Sequence, residues 1–316
     1  MRRSLLAIAS LLVAGLLLPP LWFSVFPQAV PSLPPAGRHI ALADGQGINV
    51  LDVGNGPTLV LIHGLPGCAY DWAGLPQALA ARGRHALAYD RVGYGRSDPR
   101  RDDSYTVEAN AGELLALLDI LDLRHVTLVG WSYGGEVALR AAHRNSQRIS
   151  ALALIGSPGP AFVWKQPLVE RLLFSEPVLD WARRVPPLAR AFARDQSRVA
   201  FSGSRYPDWW VPQLLANMLQ PATTRAWLRE SALLSIEGLD PAGLDMPVLV
   251  IQGSNDRMVP LAVAQDLQRR SKGELLVVAG GSHMLPITHT ALLADRLARF
   301  SDLQAPASQA DAVPRR

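Results

Sequence analysis

Residues 126–139 read Val126-Thr127-Leu128-Val129-Gly130-Trp131-Ser132-Tyr133-Gly134-Gly135-Glu136-Val137-Ala138-Leu139, and the fold depends on how this stretch is parsed. Val126 to Val129 are apolar or β-branched and predict a short buried strand. Gly130 to Gly134 form a turn, and helical spacing resumes from Glu136. A serine squeezed between a strand and a helix takes strained backbone angles. Gly130, Gly134 and Gly135 leave room for it, because a Cβ at any of them would strike the neighbouring turn. Ser132 is thereby pushed out beyond the strand's carboxyl end, with the N–H groups of a helix N-terminus behind it. Taken alone, G-x-S-x-G is equally a glycine-rich turn with an incidental serine, so the flanking chain has to decide.

Upstream, Arg38 to Ala43 and Ile48 to Val53 are β-type runs separated by Asp44-Gly45-Gln46-Gly47, a hairpin signal. Thr58 to Ile62 is continuously apolar, as in a central strand covered on both faces, and ends in His63-Gly64-Leu65-Pro66-Gly67. Tyr70 to Ala81 has helical spacing, Arg84 to Tyr89 reads as the next strand, and Val107 to Leu121 as a strong amphipathic helix. Downstream of the quoted stretch, Ile149 to Ile155 is another buried strand. Strand and helix alternate as in an open parallel sheet. From Ser157 to Asp245 strand signals vanish and prolines punctuate helical pieces. Five of the eight tryptophans fall there: Trp164, Trp181, Trp209, Trp210 and Trp227. The sheet pattern resumes with Pro247 to Gln252, helix Leu261 to Arg270, strand Glu274 to Val278 and helix Ile287 to Phe300. The expected division is a core of residues 38–156 and 246–300, an inserted helical lid at 157–245 and a flexible tail at 301–316.

At 316 residues, 49% hydrophobic and 18% charged, the chain has the composition of an ordinary globular protein with one large core. The net charge of +4 comes from dispersed arginines, without a basic stripe, which gives nucleic-acid binding no support. The single cysteine, Cys68, excludes an internal disulfide and reads as a small packing residue. No metal cluster, Walker loop or dinucleotide fingerprint is present, so no cofactor is implied. Met1-Arg2-Arg3 precedes an apolar run from Leu5 to Leu18, then Pro19-Pro20 and a second apolar patch ending at Phe26. As a helix the whole stretch would rise roughly 33 Å, enough to span a bilayer. No small-x-small cleavage site follows cleanly. Residues 1–26 are therefore expected to be a membrane anchor that keeps the body outside the cytoplasm, or a signal peptide if cleaved, and the proline-rich residues 27–37 an extended linker.

Two further loops give the serine its context. After Val248 to Ile251 comes Gly253-Ser254-Asn255-Asp256-Arg257, a carboxylate at a strand's carboxyl end. After the last strand comes Gly280-Gly281-Ser282-His283-Met284, an imidazole in the same kind of place. The loop after Ile155 reads Gly156-Ser157-Pro158 and offers no competing carboxylate. Serine, acid and histidine would all project into one crevice at the sheet's carboxyl edge, where ligands bind in open sheets. Asp90 reads as a structural group pinning the glycine-rich turn that follows it, and His289 as a packing or surface histidine.

With these motifs in hand, residues Arg38 to Phe300 resemble the α/β-hydrolase superfamily, in its lid-bearing branch of epoxide hydrolases, haloalkane dehalogenases, carbon–carbon bond hydrolases and small esterases. The resemblance rests on His63 to Gly67, on Asp90-Arg91-Val92-Gly93-Tyr94-Gly95-Arg96-Ser97, on the serine turn, and on the Asp256 and His283 loops. It implies an α/β fold with a mostly parallel sheet, Ser132 as nucleophile, His283 as general base and Asp256 as its orienting acid. It also implies an oxyanion hole from the N–H groups of Leu65 and Tyr133, with His63 supporting the loop; Pro66 has no N–H to give. Epoxide hydrolases and dehalogenases of this branch carry aspartate where this chain has Ser132, so acyl transfer through serine is implied instead. The expected chemistry is hydrolysis of an ester or thioester with an apolar acyl or alcohol part. A carbon–carbon bond hydrolase or lactonase would use the same residues, and a non-catalytic receptor of the same fold is the alternative from another class. The expected partners are a small apolar substrate and water.

Overall fold

Continuous apolar runs take the middle of the sheet and the hairpin takes its edge. The computed structural model describes residues 14–15, 17–25, 31–162, 175–234 and 240–302. Its strands are β1 (Arg38–Ala41), β2 (Gly47–Val53), β3 (Thr58–Ile62), β4 (His85–Tyr89), β5 (Val126–Trp131), β6 (Ile149–Ile155), β7 (Val248–Gly253) and β8 (Glu274–Val278). They form one eight-stranded sheet in the order β1-β2-β4-β3-β5-β6-β7-β8. β1 and β2 pair antiparallel, β2 runs antiparallel to β4, and every other pairing is parallel. The strand order reverses at β3, whose neighbours are β4 on one side and β5 on the other. That reversal opens a crevice beyond the carboxyl ends of β3 and β5.

Both faces of the sheet are covered, which is why its strands show no polar alternation. Leu59 and Leu61 face one cluster, together with Leu75 and Leu79 of α1 (Leu75–Ala80) and Leu293 and Leu297 of the last helix. Val60 and Ile62 face the other. That cluster includes Leu114 and Leu118 of α2 (Val107–Ile120), Val137 of α3 (Tyr133–Arg144) and Leu267 of a helix following β7. Helix α2 buries one stripe, Val107, Asn110, Ala111, Leu114, Leu115, Leu117 and Leu118, and leaves Glu108, Asp119 and Ile120 exposed, as its amphipathic sequence predicts.

Between β6 and β7 the described chain holds four helices: α4 (Glu176–Arg183), α5 (Pro186–Ala200), α6 (Trp210–Met218) and α7 (Pro221–Leu233). After β7 come α8 (Leu261–Ser271), α9 (Leu285–Thr288) and α10 (Thr290–Asp302). Two expected helices are each broken in two. Tyr70 to Ala81 becomes a 3-10 turn at Ala69–Trp72 and then α1, because Ala73 takes a positive φ of 49°. Ile287 to Phe300 is interrupted at His289, leaving α9 and α10.

The linker before β1 is held against the body. Arg96 Nε and Nη2 donate to the carbonyls of Pro34 and Leu33 at 2.7 and 2.8 Å, and Gly37 N–H donates to Asn49 Oδ1 at 2.8 Å. Residues 17–25 are helical, with Leu17, Leu18, Leu21, Trp22 and Val25 exposed. Among the described residues no helix is long and apolar enough to cross a membrane. Half of the apolar stretch from Leu5 to Phe26, Trp164, and the tail beyond Asp302 lie outside the described residues.

Candidate active site

Ser132 stands at the join of β5 and α3 with φ 53° and ψ −127°, a conformation that side-chain-bearing residues rarely adopt. The surrounding glycines permit it, each against a different wall. A Cβ on Gly130 would lie 2.5 Å from the Gly134 carbonyl oxygen, one on Gly134 would lie 2.0 Å from that of Ile62, and one on Gly135 would meet the Ser157 hydroxyl at 2.0 Å. From the β3 side, Gly64 presses so closely that a Cβ there would be 2.9 Å from Ser132 Cβ.

Asp256 and His283 meet behind this turn. His283 Nδ1 lies 2.8 Å from Asp256 Oδ2. A carboxylate only accepts, so Nδ1 carries the proton and Nε2 is left as the acceptor. The other acceptor positions of Asp256 are filled as well: Oδ1 accepts the N–H groups of Met258 and Val259 at 2.8 and 2.9 Å, and Oδ2 accepts Gln252 Nε2 at 3.0 Å. Burial raises the Asp256 pKa, but His283 and the hydrogen bonds outweigh it and hold the carboxyl below its ordinary value. His283 is fixed from the β5 side too, where Trp131 Nε1–H donates to its carbonyl oxygen at 3.1 Å.

The alpha/beta hydrolase fold family matches residues 57–290. The chain is an alpha/beta hydrolase. A 2-hydroxymuconate semialdehyde hydrolase of Pseudomonas sp. (strain CF600) is 30% identical to it over 273 residues, covering 84% of this chain and 94% of that protein. A 2-hydroxy-6-oxo-2,4-heptadienoate hydrolase of Pseudomonas putida is 32% identical over 251 residues, covering 77% of this chain and 88% of that protein. Among solved structures, an esterase from Exiguobacterium antarcticum superposes with a TM-score of 0.69 at 22% identity, covering 84% of this chain and 99% of the other, a likeness of fold.

In this hydrolase Ser132, His283, Leu65 and Tyr133 all line one cavity of about 740 Å³, with Asp256 behind His283. That volume is of the size that holds a small organic ligand. Tyr133 is the first residue of α3, at the end of the helix where N–H groups point outward. The opposite wall comes from the inserted helices, with Phe192, Trp210, Leu214, Met218 and Trp227. Glu176, Asp195, Arg229 and Arg257 also reach the lining, so charged groups stand among its apolar ones. Leu172, Leu173 and Phe174 of the same insertion lie outside the described residues.

The neighbouring groups act on structure. His63 is fully buried: its Nε2 accepts the Arg91 backbone N–H at 3.0 Å, so its Nδ1–H donates to the Gly64 carbonyl at 2.9 Å. Burial first, and then Arg91, hold its pKa well below the usual value, and the ring stays neutral. Asp90 accepts from Ala69 N–H at 2.6 Å and from Arg96 N–H and Asn49 Nδ2 at 2.8 Å, tying the glycine-rich turn to the loop after β3 and to β2. Burial, with Asp71 and Asp90 nearby, pushes the Cys68 thiol well up, away from the reactive thiolate. One titratable group on the wall had no sequence signal. Asp71 is buried, bonded to Gln213 Nε2 at 2.7 Å and to Cys68 N–H at 3.1 Å, and burial raises its pKa to about 7.

Proposed function

We propose that this alpha/beta hydrolase cleaves an ester or thioester of a largely apolar substrate through an acyl-enzyme on Ser132. The observation that carries the reading is the strained Ser132 and the Asp256-bonded His283 on the wall of one cavity. His283 Nε2 accepts the Ser132 proton as Oγ attacks the acyl carbon, while Asp256 holds the tautomer and stabilises the imidazolium. The leaving alcohol or thiol takes that proton. Water, deprotonated by His283, then attacks the acyl-enzyme and releases the acid. The N–H groups of Leu65 and Tyr133 would hold the oxyanion in both halves, each donor contributing about 2.7 to 4 kcal/mol at the transition state. Helices α4 to α7 serve as the lid over residues 38–156 and 246–300.

A fluorophosphonate probe should label the wild type at Ser132, a p-nitrophenyl ester should be turned over, and Ser132→Ala should lose both while melting at the wild-type temperature. By analogy with other serine triads the loss could approach about a millionfold. Unlabelled wild type with no turnover would leave a receptor of hydrolase fold. Carbon–carbon bond or lactone hydrolysis by the same residues is the second reading; the two Pseudomonas relatives, named as hydrolases of 2-hydroxymuconate semialdehyde and of a 2-hydroxy-6-oxo-dienoate, favour the carbon–carbon one. Side-by-side turnover of p-nitrophenyl esters and a 2-hydroxy-6-oxo-dienoate separates the two.

Residues 1–26 we propose to be a targeting segment that attaches the body to a membrane from outside the cytoplasm, on the strength of their apolar run behind Arg2 and Arg3. Fractionation of cells expressing the chain with and without residues 1–26 tests this. A full-length chain recovered wholly in the soluble cytoplasmic fraction would reject it.

A further inference from the structure

Helix α7 reaches the core through a fully buried ion pair. Arg91 is 1% exposed and Glu230 0%, with Arg91 Nη1 2.5 Å from Glu230 Oε1. Asn110 Nδ2 donates to the same oxygen at 2.6 Å, and Tyr94 O–H donates to Glu230 Oε2 at 2.6 Å. Burial lowers the Arg91 pKa, but Glu230 more than offsets this, and the guanidinium stays charged. A buried pair of this kind is seldom the most stable filling for its space, since apolar residues of similar volume often do as well or better.

What the pair does is visible at the other end of the guanidinium. Arg91 Nη2 donates to the Gly64 carbonyl oxygen at 3.2 Å, the oxygen that also accepts His63 Nδ1–H. The guanidinium carbon lies 4.8 Å from the centroid of the Tyr133 ring. In a trans peptide the C=O and N–H point in opposite directions. Holding the Gly64 oxygen toward Arg91 and His63 therefore turns the Leu65 N–H the other way, and Leu65 lines the cavity. The arginine thus touches the peptide of one oxyanion donor and the side chain of the other, and its counter-ion belongs to the inserted helices.

We propose that Arg91 and Glu230 are positioning residues that hold the Gly64–Leu65 peptide in its oxyanion-binding orientation, so that the hole is complete only while α7 is seated. This rests on the serine-hydrolase reading above. Withdrawal of α7 would leave Arg91 buried without its carboxylate and the Gly64 carbonyl held by His63 Nδ1–H alone.

The test compares two probes on the purified full chain, an aryl trifluoromethyl ketone and the matching methyl ketone. In the first, Ser132 Oγ adds to the carbonyl carbon, His283 takes the hydroxyl proton and the carbonyl electron pair becomes the oxyanion; the second reports ground-state binding. Glu230→Gln, which keeps shape and removes charge, and Arg91→Lys, which keeps charge and removes the fork, should each lose about tenfold or more of the preference for the trifluoromethyl ketone. kcat should fall by the same factor, with KM and methyl ketone affinity held within about twofold. The double variant should be no worse than the worse single one, because both changes break one relay. Variants that melt earlier but keep the full preference, or that lose it additively, overturn the relay and leave the serine-hydrolase reading standing. If Arg91→Lys does not fold, Glu230→Gln decides alone. A wild type with no preference between the ketones overturns the serine-hydrolase reading and the relay together.

Discussion

Four donors converge on the Asp256 carboxylate, two of them the backbone N–H groups of Met258 and Val259 and one of them His283. Its folded pKa is depressed, so the stability it lends is present above its unfolded value near 3.8 and is lost only as pH falls through the lower folded value. Asp256 therefore stays charged down to pH values below the ordinary carboxyl range. Asp256→Asn keeps the shape but inverts one side of the hydrogen-bond set, allowing the wrong imidazole tautomer. The expected loss in kcat is about 10⁴-fold, with KM little changed, read from steady-state turnover of a p-nitrophenyl ester. Full activity in that variant would assign the acid elsewhere. Ser132, Asp256 and His283 could be picked out in the sequence because each sits in a short local pattern of glycines just past a strand. Arg91 was in plain view within a quoted motif, yet its partner Glu230 is 139 positions away, and no local pattern announces a contact of that range. Trp131, beside the serine, showed nothing of its bond to the His283 carbonyl for the same reason.

At the level of elements, the sheet was readable because β3, β5, β6 and β7 are covered on both faces and are mostly apolar, broken only by single polar residues such as Thr127, Ser150 and Gln252. The helix breaks were missed: the one after Trp72 has a local signal in Gly74, the N-cap of α1, and Pro76 in its first turn, whereas the one at His289 has no breaker beside it. The inserted helices were readable as helices but not as a surface. They join the core through apolar packing, with Phe201, Trp210, Leu214 and Leu215 in one cluster with Trp72 and Leu285, and through polar ties: Asn217 accepts from Gly95 N–H and donates to the Gly67 carbonyl, both at 2.9 Å, and Thr223 donates to the Gly93 carbonyl at 3.1 Å. The glycine-rich stretch after Asp90 is thus a docking strip for α6 and α7. Helices α5, α6 and α7 also bring Phe192, Trp210 and Trp227 to the cavity wall, so ester chain length should be read by burial there. Each added methylene should improve kcat/KM by at most about fourfold, from about 0.8 kcal/mol of apolar burial, until the cavity is full. A series of p-nitrophenyl esters from acetate upward should rise and then fall. A flat series, or a preference for an anionic acyl group that could meet Arg257, would move the carbon–carbon bond reading ahead of the ester one.

At the scale of the whole molecule, buried carboxyls imply a pH dependence of stability that composition does not reveal. Asp71 lies between the body and the inserted helices, held by Cys68 N–H on one side and by Gln213 of α6 on the other. Burial lifts its pKa from 3.8 to about 7, against the smaller pull of those hydrogen bonds. A carboxyl whose folded value is raised binds more protons in the folded state than in the unfolded one between the two values. By linkage the stability it contributes is complete below about 4 and is lost as pH climbs toward 7, with the full cost of a buried charge above that. Glu113, also raised to about 7 by burial, adds to the same trend. The folded body should therefore be easier to melt at pH 8 than at pH 5. Asp71→Asn cannot ionise, so it removes one share of that cost. Its melting temperature should exceed that of the wild type by several degrees at pH 8 and by little at pH 5, measured by calorimetry across the range. An equal gain at both pH values would trace to packing and not to charge, and no gain at pH 8 would mean that Asp71 is not the group that titrates.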